Sequence, residues 1–295
     1  MTIERTVRRA LAPVTGPAAK RSLIAGRDAL AWRLAAARAA ARPARMRPAF
    51  VVVGAQKAGT TFLYQELVRH PDVVPAITKE IHHFDDRYHA GRRAYPGFFP
   101  APARPGVITG EASPGYVFHP RAIARLAADV PGVRVIVLLR DPVRRARSHH
   151  AHEVRLGYEP VTSFAEALAL EDGRLAGEEE RLLADERYVS FAWRHFSYRA
   201  RGHYVDQLRR LHESFPPERV CVLRSEDLYE APGPVLAGVH AFLGLTPHDA
   251  EPGRNDMRAD PAPVDPAVAA GLRDHYRPWN EALAAYLGRD LAWPA

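Results

Sequence analysis

The chain has 295 residues, 47% of them hydrophobic, which is enough to bury the core of one catalytic domain with an appendage. Its net charge of +7 belongs to the first 48 residues, where ten arginines and Lys20 stand against Glu4 and Asp28 for +9; the rest carries 30 basic and 32 acidic residues, −2, which removes the electrostatic support for nucleic-acid binding by the body. The single cysteine, Cys221, excludes an internal disulfide and a cysteine-based metal cage, and no apolar run is long enough to span a bilayer. Cysteine usage suits a reducing cytoplasm, so a cytoplasmic placement is expected, at the inner membrane surface if the basic leader meets lipid.

Residues 1–48 form an Ala- and Arg-rich leader with a helix expected from about Lys20 to Ala41. Leu23, Ile24, Leu30, Trp32 and Leu34 give it a patchy apolar face, and arginines interrupt every apolar run, so no secretory h-region forms. Three roles stay open for it: a solvated or loosely docked helix, a peripheral membrane-surface helix, or a contact for an acidic substrate or partner. Pro43 and Pro48 bracket the junction to a catalytic domain over 49–295.

The run FVVVGAQKAGTTFLY, Phe50 to Tyr64, opens that domain as a buried strand, a glycine-containing loop and a helix start. Short strands are expected over Gly106–Thr109, Val133–Leu139 and Arg219–Leu223. Helices are expected over His119–Asp129, from Asp141-Pro142 to about Arg155, and over Phe164–Leu175, Glu178–Asp185, Tyr198–Phe215, Pro234–Leu243 and Pro266–Leu287. Strand–helix alternation predicts a three-layer, P-loop-like α/β domain, with a central parallel sheet flanked by helices and ligands at the carboxyl ends of its strands. Cys221 falls in a strand and reads as an inert thiol.

Two constellations carry chemistry. In the loop Gly54–Thr61, helix-start amides after Gly59 and the hydroxyls of Thr60 and Thr61 suit a phosphate. A Walker A loop places a lysine and a hydroxyl residue directly after its last glycine. Here Thr60 stands in the lysine's place and the lysine sits back at Lys57, a point charge able to follow charge developing on a leaving oxygen. The second constellation is LLRDPVRRARSHH, where Arg140 emerges at the carboxyl end of the strongest strand and Ser148 follows two helical turns later. Arg144 and Arg145 read as a solvated helix face. His149, His150 and His152 share a helix with arginines and lack the carboxylate spacing of a metal site, so no metal is expected.

These segments resemble the signature of the sulfotransferases that use 3′-phosphoadenosine 5′-phosphosulfate (PAPS), in the wording of the heparan-sulfate (Golgi) type and its bacterial relatives. KEIHHFD (79–85), GEASPGYVF (110–118) and VLRSEDLYEAP (222–232) agree with it in order, and the likeness covers about residues 49 to 295. It implies PAPS as co-substrate and no metal. It implies that Lys57 stabilises the bridging oxygen of the phosphosulfate, with Ala58, Gly59, Thr60 and Thr61 in the loop that binds it. Arg140 and Ser148 match the ligands of the 3′-phosphate, and Glu80 the general base. His82 and His83 are expected either to pack under the Glu80 loop or to contact the acceptor.

Departures from the pattern narrow the acceptor. Ala112 stands where many Golgi members have a lysine, and in place of a late basic segment the chain offers Asn255–Asp260, with Arg258 as a late phosphate contact. The acceptor expected is a small molecule or a glycan: a small carbohydrate, a glycolipid or a secondary metabolite at least as readily as a heparan-like polymer. The rival readings are an Mg-ATP kinase or NTPase, which lacks its lysine–hydroxyl pair after Gly59, and a non-catalytic nucleotide-binding module, which has no need of both Lys57 and Glu80.

Overall fold

The computed structural model describes residues 16–41, 44–102, 104–248 and 263–294. Its first helix, α1 (Pro17–Ala41), is followed by β1 (Phe50–Gly54), α2 (Thr60–Leu67), β2 (Val73–Pro75) and the single-turn α3 (Tyr88–Gly91). A 3-10 turn (Tyr95–Phe98) leads to β3 (Ile108–Ala112), α4 (Ala122–Asp129), β4 (Arg134–Leu139) and α5 (Pro142–Leu156). Next come α6 (Phe164–Leu175), α7 (Glu178–Ala184), α8 (Phe191–His195), α9 (Tyr204–Ser214), β5 (Val220–Arg224), α10 (Ser225–Glu230), α11 (Pro232–Leu243) and α12 (Pro266–Leu287).

The five strands form one parallel sheet in the order β2-β3-β1-β4-β5. Every residue of β1, and all of β4 after Arg134, is buried, as strands covered by helices on both faces must be. From β1 the chain goes to β2 and β3 on one side, then crosses to β4 and β5 on the other. The crevice of a parallel sheet opens at such a switch, at the carboxyl ends of β1 and β4. The loop Ala55–Gly59 leaves β1 there, and Arg140 leaves β4 there.

Local signals explain the elements that match expectation. Asp141 caps α5 by accepting from the amides of Val143 (2.8 Å) and Arg144 (3.3 Å), with Pro142 in the first turn. Asp265 caps α12 in the same way. The helix expected over Tyr198–Phe215 is shorter. The amides of Arg199 and Ala200 donate to the buried Glu171 carboxylate at 2.7–2.9 Å instead of building a helical turn. A 3-10 turn (Ala200–Gly202) intervenes, and α9 starts at Tyr204. β3 begins two residues later than expected and runs on to Ala112. The segments β2, α3, α8 and α10 are three to six residues long and carry no periodicity of their own.

The leader helix packs on the body. Ala35 is fully buried against the turn Tyr95–Phe98, where Gly97 makes room: a Cβ at Gly97 would lie 1.9 Å from the Ala35 carbonyl oxygen. Trp32 meets Phe98 edge to face at 4.8 Å, and Arg38 donates to the Phe99 carbonyl at 3.1 Å. Leu23, Leu30 and Leu34 remain exposed.

Candidate active site

The loop after β1 is shaped to present backbone donors. Gly59 occupies the N-cap of α2 at φ 95°, in the left-handed region, and no side chain caps the helix. The leading amides of α2 therefore keep the unpaired donors and partial positive charge that Asp141 absorbs at α5. Gly59 also faces Tyr229, whose hydroxyl would lie 2.5 Å from a Cβ there. Ser225 donates to the Ala58 carbonyl at 2.8 Å and holds the loop's inner side. Thr60 is buried and Thr61 half-buried.

Lys57 adopts φ 70° at the loop's tip, and its ammonium has no hydrogen-bond or ion-pair partner among the described residues. Burial pushes its pKa down to about 8; Arg155 and Arg140 add to the fall, while Glu153 and Glu80 oppose it. Arg140 reaches the same loop, donating to the Lys57 carbonyl at 3.0 Å, and its own carbonyl accepts from the Tyr204 hydroxyl at 2.8 Å. Ser148 sits half-buried in the second turn of α5.

Glu80 approaches from the segment between β2 and α3. Lys79 lies 2.6 Å from its carboxylate and also donates to the Thr61 hydroxyl at 2.9 Å, so one ammonium ties the Glu80 segment to the phosphate loop. His82 bridges Glu80 (3.3 Å) and Asp85 (3.0 Å). Burial alone would raise the Glu80 carboxyl, but Lys79 and His82 overcome it and hold the group well below the usual carboxylate range. Burial would likewise lower His82, but Asp85 and Glu80 push it up to about 10, so it is an imidazolium at neutral pH. His83 goes the other way: it is buried, stacked on Tyr95 at 4.6 Å, and pushed down by burial to about 4.

A buried network holds this segment in place. The Ser113 hydroxyl oxygen accepts from the amides of Ile81 (3.0 Å) and His82 (3.1 Å) and donates to Glu111 at 2.6 Å. Tyr95 and Tyr116 also donate to Glu111, at 2.9 and 3.2 Å, and the Tyr116 oxygen accepts the His83 amide at 2.9 Å. Burial raises Glu111 to about 7. The GEASPGY segment is thus the scaffold of the Glu80 loop. Both segments, and the basic neighbours Lys79 and His82 of Glu80, were legible in the sequence, but Asp85 as the partner of His82 and Ser113 as the support of the segment were not.

Other expectations resolve less evenly. Arg144 is exposed as expected, but Arg145 is fully buried, one helical turn from the buried His149 and donating to the Tyr198 carbonyl. The face of α5 that meets Tyr198 and Tyr276 imposes this. His195 hydrogen-bonds Glu153 at 2.8 Å, His149 lies 3.3 Å from the same carboxylate, His150 meets the Val161 carbonyl and His152 meets Arg155. Among the described residues, one group has ligand atoms close enough for a metal: His82, Asp85 and Asp86. His82 already bridges two carboxylates there, and the Arg194 guanidinium pairs with Asp86. Arg258 lies outside the described residues. Cys221 is half-buried in β5, and burial pushes its thiol up to about 11, away from nucleophilic use.

A parallel sheet with a glycine turn and an uncapped helix start at its switch point, with Lys57, Arg140 and Glu80 around that loop, is a P-loop-like fold with a site suited to an anion. No family model matches the chain. The sulfotransferase of Alicyclobacillus acidocaldarius, known from a crystal structure, is 30% identical, with a TM-score of 0.65, over 83% of this chain and 97% of that one. Bifunctional heparan sulfate N-deacetylase/N-sulfotransferase 3 of Homo sapiens is 33% identical over 213 residues, 68% of this chain. Heparan sulfate glucosamine 3-O-sulfotransferase 3B1 of Mus musculus is 29% identical over 273 residues, 83% of this chain. The matches span 23% and 65% of the length of these two relatives. The chain belongs to the sulfotransferase family, and heparan sulfate sulfotransferases are among its relatives.

The relatives correct one expectation. A membrane-associated sulfotransferase of Dictyostelium discoideum is 25% identical over 316 residues, 83% of this chain and 66% of its own length. The cytoplasmic placement does not stand beside it, because a lone cysteine reports only that no internal disulfide is needed and a fold without disulfides forms in any compartment. Among the described residues no helix is long and apolar enough to cross a membrane.

Proposed function

We propose that the chain transfers a sulfuryl group from PAPS to a hydroxyl of a carbohydrate, glycolipid or secondary metabolite. The observation that carries this reading is Lys79, which joins Glu80 to Thr61 and so sets a carboxylate beside a phosphate-type loop whose lysine is unpaired.

In this reading the α2 amides, with Ala58, Gly59, Thr60 and Thr61, hold the 5′-phosphosulfate, while Arg140 and Ser148 hold the 3′-phosphate. The acceptor oxygen attacks sulfur in line as the bond from sulfur to the phosphate's bridging oxygen breaks. Lys57 stabilises the charge left on that oxygen, and Glu80 takes the acceptor's proton. His82, held by Asp85, keeps the Glu80 carboxylate oriented. Lys79 lowers its basicity in the free enzyme; a bound phosphosulfate competes for that ammonium through Thr61 and releases Glu80 for proton transfer.

Glu80→Gln tests the assignment. It keeps the side chain's shape and removes the base, so single-turnover consumption of labelled PAPS should fall by roughly 10²–10⁴-fold with no loss of donor affinity. Full activity in that variant would move the base elsewhere.

A further inference from the structure

A small pocket opens beside Glu80 and His82, with Arg194 on its rim, and α1 supplies part of its wall through Asp28, Ala31 and Trp32. Its free space is about 30 Å3, room for one or two water molecules. The contact with α1 is built rather than incidental. Besides the Ala35–Gly97 seat, Gly91 sits under the Trp32 ring, where a Cβ would lie 2.5 Å from the indole. The Arg87 guanidinium lies 5.5 Å from the centre of that ring. One stretch of the body, Arg87 to Phe98, is therefore shaped to hold Trp32 and Ala35 at this place. Asp28, one turn before Trp32, pairs only with its exposed neighbour Arg27 among the described residues, and its carboxylate is free to accept from a further hydroxyl.

We propose that α1 is part of the acceptor site, with Trp32 and Asp28 forming the wall that sets which acceptors reach Glu80. This rests on the reading of Glu80 as the base. With α1 seated, the space beside the carboxylate admits a hydroxyl on a slender, uncharged, terminal group and excludes a ring substituted on both sides. Trp32 limits the width, and the Asp28 carboxylate can accept from a polyhydroxylated group. The chemistry that fits is the exposed end of a neutral polyol or glycan rather than the interior of a sulfated polymer.

The test uses the full chain with labelled PAPS and two probe alcohols at high concentration, ethylene glycol and myo-inositol, scoring the sulfate ester formed from each. The wild type should favour ethylene glycol. Trp32→Ala should raise the inositol-to-glycol product ratio about tenfold or more. Leu30→Ala, on the exposed face of the same helix, should leave the ratio unchanged. An unchanged ratio in Trp32→Ala, or an equal shift in Leu30→Ala, overturns the proposal. A second measurement needs no turnover: amide exchange across residues 78–87 should quicken severalfold in Trp32→Ala and in Gly97→Val, and equal exchange in all three proteins overturns the wall. Failure of the wild type to consume PAPS at all would contradict the sulfotransferase reading, while the exchange result still decides whether α1 covers the pocket.

Discussion

Lys57 and Glu80 are both shifted down, which moves Lys57 toward its neutral form and Glu80 further into its charged one, and the first shift has a kinetic consequence. Lys57 must be charged to stabilise a leaving oxygen, yet burial brings its pKa to about 8. A depressed lysine is protonated below that value and neutral above it, so kcat/KM, which reports the free enzyme, should fall as pH rises through about 8. The donor's negative charge favours the ammonium, so the same limb in kcat should lie at higher pH. Lys57→Arg, charged throughout, should lose the limb; a limb that persists in that variant would assign it to another group. Arg140 donates to the loop's backbone, and the proposed function assigns it to the nucleotide's 3′-phosphate. Arg140→Ala should weaken binding of 3′-phosphoadenosine 5′-phosphate by about 1.5–3 kcal/mol, the worth of a charged hydrogen bond. Unchanged affinity would refute the assignment. Motif spacing marked both residues as candidates, whereas nothing in the sequence marked the burial of Arg145. An arginine reads as a surface charge until the packing of its helix face is known.

At the scale of elements, the Glu80 segment has no regular structure and depends on Ser113 and Glu111 for its position. Ser113→Ala leaves the Ile81 and His82 amides without an acceptor, at a cost of about 1–3 kcal/mol in a buried setting. Turnover should drop while donor binding is kept, a split that isothermal calorimetry and steady-state kinetics can resolve; an equal loss in both would mean the phosphate loop had moved as well. The central strands β1 and β4 were readable because strands buried on both faces are written as unbroken apolar runs. The limits of α6 and α12 were readable from caps and periodicity. The short β2, α3, α8 and α10 were not, since their shape comes from neighbours. Glu111 was opaque for the same reason: a carboxylate in a strand looks alike whether it faces water or a triad of hydroxyls.

For the whole molecule, the charge split between leader and body is real in the sequence, but it concealed how the two meet. The apolar stripe of α1 is patchy because its seat is made by Gly91 and Gly97, which show only as absent side chains. The late segment holding Arg258 lies outside the described residues, so its part in donor binding stays a proposal. In the proposed function the displaced lysine converts a nucleotide cradle into a phosphosulfate cradle. Calorimetry on the full chain tests this most directly, by titrating 3′-phosphoadenosine 5′-phosphate without metal against ATP with Mg2+. Metal-free binding of the former should be at least about a hundredfold tighter, a difference of about 2.7 kcal/mol. Preference for Mg-ATP would contradict it.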